Sequence, residues 1–404
     1  MLAWRLWKAD ALGEFNPYPM VKNAAAFLIR QGPMTQQERW EENSGYSPST
    51  LAATIAALIC AADFAKAHGH KKSAHFLEEY ADFLESHVET WTVTTQGSLL
   101  PDIPKHYIRI KPTDINDPAP DEDANRGMLP IRNRPPGSQR EFPAKDIVDA
   151  GFLELVRYGV RKPKDTLIED SLRVVDAVFR VDTPFGPCWR RYNHDGYGQH
   201  PDGSPFSGWG KGRAWPLLTG ERGHYELAAG RDVSSYIQAL ERFANRGGML
   251  PEQVWDKADL SKAGMYLGRP AGSAMPLMWA HAEYIKLLRS VADGQVFDLI
   301  PAVAERYLNG QGRKDLEVWK PIRQVRQVAS GQTLRIQAPA NFRLRWSANE
   351  WQNINDTSAI STGLGIYFVD IPIDEEQRAP LRFTFFWTDS EQWEGRDYVA
   401  RIKQ

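Results

Sequence analysis

Two cysteines in 404 residues are too few for a disulfide framework, and Cys60 in an apolar run and Cys188 after a Gly-Pro pair read as reduced thiols. Excess charge of either sign is also missing: 49 Lys+Arg against 51 Asp+Glu leaves a net −2. Without surplus positive charge there is no electrostatic footprint for a phosphate backbone, so nucleic acid is excluded as a partner. Long apolar runs are scarce. The stretch from Leu51 to Ala62 is broken by Asp63, short of the roughly 20 residues a membrane span needs, so no membrane partner is expected. The opening MLAWRLWKAD holds neither an apolar core nor a small-residue cleavage site, so it does not read as a secretory signal and a cytoplasmic location is expected. No G-x-S-x-G elbow and no Cys–His set for a covalent nucleophile occurs. His68 and His70 flank Gly69 without further spaced ligands, and Asp121-Glu122-Asp123 lacks the spacing of a calcium loop. Neither a metal nor a cofactor is expected.

Aromatic residues, by contrast, are plentiful: 14 Trp, 14 Tyr and 17 Phe, with several Trp beside Gly, Glu or Arg rather than inside apolar runs. Most serve core packing, but flat rings with a polar edge also suit a pyranose, which has one apolar face and a polar rim.

Helical periodicity runs from the start to about residue 308. Phe76, Tyr80, Phe83 and Leu84 lie on one stripe, Val148, Phe152, Leu155 and Val156 on a second, and Ile168, Leu172, Val175 and Phe179 on a third. The pattern predicts nine helices over 2–9, 18–31, 48–68, 71–88, 144–158, 165–180, 214–229, 233–246 and 272–291, with a short tenth over 297–308. Connections after the odd-numbered helices are short and those after the even-numbered ones long. If successive helices run antiparallel, every long loop emerges at one end, which marks that end as functional. From about Pro321 the period changes to two, as in Phe342-Arg343-Leu344-Arg345-Trp346, and predicts a small antiparallel sandwich.

Two acidic loops fall at the long-loop end. The first, Gln37 to Tyr46, carries Glu41 and Glu42 beside Trp40; the second, Gly247 to Asp256, carries Glu252 near Trp255. Opposed carboxyls flanking a bond are what glycoside hydrolysis needs, one to protonate the leaving oxygen and one to activate water. The competing reading is that these are solvated loop acids. The segment Gly208-Trp209-Gly210-Lys211-Gly212-Arg213-Ala214-Trp215-Pro216 is not a phosphate loop, because no Ser or Thr follows Lys211. Its Arg213 either holds substrate hydroxyls with its planar fork, Trp215 forming a wall, or belongs to a buried ion pair under a Gly-rich turn. His194-Asp195-Gly196-Tyr197-Gly198 reads as a turn on the rim, open to substrate contact.

The strings QERWEENSGYSPST (37–50), GKGRAWPLLTGERGHYEL (210–227) and LPEQVWD (250–256) resemble glycoside hydrolase family 15, the glucoamylases and glucodextranases, in its bacterial branch. The resemblance extends over essentially the whole chain. It implies an (α/α)6 barrel and single-displacement, inverting hydrolysis at the non-reducing ends of α-glucans, releasing β-D-glucose without a cofactor. By the family motifs Glu41 is the general acid and Glu252 the general base. Glu42 contacts the sugar on the leaving side, while Trp40, Arg213 and Trp215 shape the glucose pocket. Nine predicted helices are fewer than the family's twelve, and Met1 aligns inside the fourth, so the expected fold is mainly α: an incomplete (α/α)6 barrel (six-hairpin toroid) over 1–310, lacking the N-terminal domain and first barrel helices, followed by a C-terminal antiparallel β-sandwich over 318–404. An open barrel is expected to expose apolar faces. The expected partner is an α-glucan or maltooligosaccharide. A glucodextranase or trehalase of the same architecture, or an inactive glucan-binding fragment, are the alternatives. In the sandwich, Trp346 and Trp351 are expected to be structural rather than sugar-binding.

Overall fold

In the computed structural model, which describes residues 1–310 and 313–404, ten helices are found among the described residues. They are α1 (Leu2–Lys8), α2 (Tyr18–Gln31), α3 (Pro48–Ala67), α4 (Lys71–Thr92), α5 (Leu153–Arg157), α6 (Thr166–Phe179), α7 (Pro216–Ala228), α8 (Ser234–Phe243), α9 (Met278–Asp293) and α10 (Pro301–Leu308). Proline in the first turn opens α2, α3, α7 and α10, where its missing N–H has no helical partner to lose. Asp165 caps α6 by accepting from the Leu167 N–H at 2.9 Å.

Helix α3 is apolar nearly all round and, by length and composition, long enough to cross a membrane, contrary to the shorter run read from the sequence. Its faces are packed instead against α2, α4 and α5 at the centre of the core, as expected of a helix with no polar stripe. Short connections (9–17, 68–70, 158–165, 229–233) alternate with long ones (32–47, 93–152, 180–215, 244–277), so consecutive helices pair as the hairpins of an (α/α)6-type arc. The expected apolar faces are present: Met20 and Phe27 on α2, and Met278, Ile285, Leu288 and Val291 on α9, are exposed.

Three predicted boundaries are corrected. The fifth helix does not run over 144–158; only Leu153–Arg157 is α-helical, after a 3-10 turn at Ala144–Asp146. The backbone between them is drawn into other bonds. Ile147 O accepts from Arg109 N (2.8 Å), Val148 N donates to Asn193 Oδ1 (3.0 Å), and Gly151 N donates to Asp149 Oδ1 (2.9 Å). Helix α7 begins at Pro216 because Ala214–Trp215 is a strand beside Trp189–Arg190. Helix α9 begins at Met278 rather than 272 because the preceding residues run alongside the Glu252 loop, with Glu252 N on Ala274 O and Leu277 N on Leu250 O, both 2.9 Å.

The C-terminal sandwich is built from β1 (Leu316–Trp319), β2 (Gln327–Ala329), β3 (Thr333–Ala338), β4 (Phe342–Ser347), β5 (Asn355–Ser358), β6 (Ile360–Ser361), β7 (Tyr367–Pro372), β8 (Leu381–Trp387), β9 (Gln392–Trp393) and β10 (Tyr398–Lys403). One sheet has the order β1-β3-β7-β6, the other β2-β10-β8-β4-β5 with β9 on β8. The sheets are mixed rather than purely antiparallel, since β1 pairs β3 and β2 pairs β10 in parallel. Alternation is plain in β4, where Phe342 and Leu344 enter a core with Ile336, Phe383 and Phe385 while Arg343 and Arg345 turn outward. Trp346 donates its indole N–H to Thr357 Oγ1 within the sheet (3.1 Å), a structural role.

Charged side chains fasten the sandwich to the helices. Arg323, 1% exposed, donates to both oxygens of Glu122 (2.6 and 2.8 Å) and to Glu317 (2.7 Å). Arg335 bridges Asp370 on β7 to Glu79 on α4 (2.6 Å). Lys320 Nζ reaches from the sandwich to the carbonyls of Ile29 and Gly32 at the end of α2.

Candidate active site

The loop 32–47 folds back on itself before α3. Thr35 and Gly45 exchange backbone bonds at 2.8 and 2.9 Å, and Gly45 must be glycine: at φ +144° an added Cβ would lie 2.0 Å from Lys111 O. Within this closure, Glu38 is buried and acts as the organiser. It accepts from Trp40 N (2.9 Å) and from Arg109 (2.6 Å), while its own N–H meets Asn43 O (3.0 Å). Glu41 is left at the exposed tip of the turn with φ +59°, and Glu42 points inward.

Glu42 accepts from Arg109 (3.0 Å), Arg191 (3.1 Å) and the Tyr192 hydroxyl (2.5 Å). Burial alone raises a carboxyl pKa, but the two guanidiniums and the phenol outweigh it and hold Glu42 below its usual range. Trp40 lies beside it, buried, its indole N–H on Asp149 Oδ2 at 3.1 Å. Burial pushes the Asp149 carboxyl up to about 6 against the pull of Arg39 and the Gly151 N–H. The broken fifth helix is what presents Asp149 to Trp40.

Glu252 is carried by an extended segment between two neighbours, with Val254 bridging Ala214 on one side and Pro270 on the other. Glu252 is 8% exposed; its carboxylate accepts from Gln253 Nε2 at 3.1 Å and lies near the Tyr197 phenol. Burial and this carboxylate raise the Tyr197 phenol.

The Glu42 and Glu252 sides are joined through Arg191. Its guanidinium grips both oxygens of Asp195 at 2.8 Å, and Asp195 Oδ1 takes the Tyr197 N–H at 2.8 Å. The same guanidinium lies 5.2 Å from the ring centre of Trp40, 5.1 Å from Tyr197 and 5.5 Å from Trp215. Trp40 and Trp215 meet edge to face at 5.7 Å, and the partly exposed Trp279 lies 5.9 Å from Trp40. The result is an aromatic enclosure with carboxylates on two sides. The buried indole N–H of Trp215 has no acceptor among the described residues.

Of the six predicted residues, Trp40, Glu42, Trp215 and Glu252 enter this one network, and Glu41 is exposed next to Glu42 on the same loop. Arg213 does not enter it. It is 0% exposed, with NH1 on Asp256 (2.8 Å), NH2 on the carbonyls of Gln199 and His200 (2.8 Å each) and its plane 4.0 Å from the Trp255 ring centre, while its Nε has no partner among the described residues. This environment favours the buried-ion-pair reading of Arg213, which fixes the segment carrying Glu252.

Sequence reasoning missed Arg109, Arg191, Tyr192 and Asp149, none of which stands in a recognisable string, and passed over Glu38 inside the 37–50 string. The rim loop it left open does supply Asp195 and Tyr197, whereas His194 stacks on Phe142 at 3.9 Å. His68 and His70 serve packing: Tyr18 stacks on the first at 4.1 Å and bonds Nδ1 of the second at 2.6 Å. Among the described residues, no group of three or more His, Cys, Asp or Glu is placed to hold a metal ion.

Comparison with known proteins gives a consistent answer. The family model for glycosyl hydrolases family 15 matches residues 8–289. A glucoamylase from Clostridium sp. (strain G0005) is 44% identical over 311 residues, which cover 76% of this chain and 40% of that protein. The crystal structure of a bacterial glucoamylase complexed with acarbose superposes with a TM-score of 0.67 at 43% identity, covering 76% of this chain and 42% of the other. The chain thus spans about two fifths of the length of either relative. The whole sandwich lies beyond the matched family region. With the acidic loops, the helical arc and these matches in agreement, the chain belongs to glycosyl hydrolase family 15.

Proposed function

We propose that the chain is an inverting, exo-acting α-glucosidase of the glucoamylase type, releasing β-D-glucose from the non-reducing ends of α-glucans or maltooligosaccharides. The observation that carries this reading is the Glu42–Arg191–Asp195–Tyr197–Glu252 chain of contacts, which sets two glutamate loops around one aromatic enclosure. Glu41, free at the tip of its turn, gives its proton to the glycosidic oxygen as the bond to the anomeric carbon breaks. Glu252, held by Gln253 beside the Tyr197 phenol, takes a proton from the water that attacks the opposite face. Configuration inverts, and exchange with solvent restores both carboxyls. Glu42, kept ionised by Arg109 and Arg191, accepts hydroxyl hydrogen bonds on the leaving side. Trp40 and Trp215 wall the sugar, and the unpaired indole N–H of Trp215 has a sugar hydroxyl as its natural acceptor.

Proton NMR of maltotriose mixed with the purified chain tests the proposal. Early accumulation of β-glucose, before mutarotation, is expected. Glu252→Gln is expected to cut turnover by about 10²- to 10⁴-fold, the usual share of a general base, while remaining folded. Unchanged turnover in that variant sinks the assignment. Maltose, isomaltose and trehalose compared by initial rate separate the glucoamylase reading from glucodextranase and trehalase. Binding of maltooligosaccharide with no glucose released is the outcome of an inactive glucan-binding protein.

A further inference from the structure

Behind the Tyr192–Asp195 side of the candidate site lies a separate cavity of about 390 Å³, lined by Arg134, Arg190, His194, Trp209 and Lys211 together with Asp195 itself. Its charges do not balance. Asp195 is the one carboxylate in the lining, and both of its oxygens are taken by Arg191. Arg190 uses only Nε, on Asp256, and that carboxylate is already shared with Arg213. Arg134 binds two backbone carbonyls, Gln139 O and His194 O, and no acid. Lys211 makes no ion pair among the described residues. Burial and the nearby Lys257, Arg190 and Arg213 push the Lys211 ammonium below its usual pKa against the pull of Asp256, the mark of like charges crowded together.

We propose that this cavity binds a small phosphomonoester, its dianionic head between Arg134, Arg190 and Lys211 and its organic part against Trp209. The two guanidiniums offer planar forks that match phosphate oxygens, and the lysine adds a point charge. The volume suits a hexose phosphate and the overall charge of −2 does not suit a polyanion. Because no backbone cradle is involved, the site is independent of the phosphate-loop pattern that the 208–216 segment fails to match. It also stands apart from the proposed hydrolysis and holds whether or not that reading survives.

The test is calorimetric titration of the full chain with inorganic phosphate, glucose 6-phosphate and glucose at matched ionic strength, with tryptophan fluorescence reporting on Trp209. Glucose 6-phosphate is expected to bind about tenfold more tightly than inorganic phosphate, and glucose not to bind at this site. Equal affinity for the two phosphates still supports the site and assigns it to the head group alone. Lys211→Gln and Arg134→Gln alter residues outside the core, and each is expected to weaken binding about tenfold with the circular dichroism spectrum unchanged. Failure of both phosphates to bind, or equal binding in the double variant, overturns the proposal.

Discussion

Replacing Arg213 by methionine separates two readings of the same residue. The side chain makes three hydrogen bonds, to Asp256, Gln199 O and His200 O, and lies on Trp255. Methionine keeps most of the volume, so the cost is electrostatic. Breaking a buried ion pair costs about 3–5 kcal/mol, and here the lower end applies because Asp256 keeps Arg190 at 2.5 Å. Two carbonyls that lose a charged donor add about 1 kcal/mol in total after solvent relaxation, for a loss near 4 kcal/mol. For a chain of this size that is a fall in Tm of about 5 °C. Since the lost bonds anchor the strand carrying Glu252, kcat on maltotriose should drop by an order of magnitude or more while KM changes by less than about twofold. Arg213→Lys, which keeps the Asp256 pair but not both carbonyls, should lose about half as much stability. Differential scanning calorimetry and initial rates read out both quantities. A Tm within about 1 °C of the parent together with a raised KM would show that Arg213 grips substrate after all, and the structural argument would fail.

Two further variants probe the scaffold. His224, buried in α7, is pushed down to about 4 by burial and by Arg157. The unfolded chain takes up that proton near 6.5, so this residue's contribution to stability is intact above pH 6.5 and is lost as pH falls through 4. His224→Gln should therefore gain about 3 kcal/mol relative to the parent between pH 7 and pH 4, measured by urea melts; a pH-independent difference between the two proteins excludes the effect. Arg323→Met strands Glu122 and Glu317, whose carboxyls Arg323 helps hold below the usual range against burial, Glu317 at about 2. A loss of about 3–5 kcal/mol is expected by thermal melting, with helices and sandwich destabilised together; an unshifted melt contradicts the claim that this arginine fastens the two.

The parts of the molecule legible in the sequence are those set by local pattern. Stripes such as Phe76, Tyr80, Phe83 and Leu84 report a helix because burial on one face repeats every three or four residues, and α4 and α6 follow. The Val148–Val156 stripe is buried as its spacing implies, yet most of it is not helix. Apolar spacing does not register that Asn193 and Arg109 have claimed the backbone of 147–148. The parallel pairings of β1 and β2 were equally hidden, since a period of two carries no direction. In the site, glutamates in aromatic loops were visible because their type and neighbours are unusual. Arg109 and Arg191 were not, because an arginine becomes informative only when the acids it neutralises are known, and those lie 67 and 149 positions away. Arg213 stayed open between two readings for the same reason: its partner Asp256 is 43 positions off.

The turn that exposes Glu41 next to Glu42 holds it at φ +59°, a conformation glycine adopts freely and a side chain does not. Most random changes at this position remove the carboxylate and leave the strain, but Glu41→Gly relieves it, by about 1 kcal/mol. A selection for thermal stability alone would thus draw this residue toward glycine and away from chemistry. If Glu41 is the proton donor proposed above, libraries built on this scaffold to raise its melting temperature will enrich inactive members at this position unless activity is screened in the same round, and that enrichment would itself mark the residue at which stability and turnover pull apart.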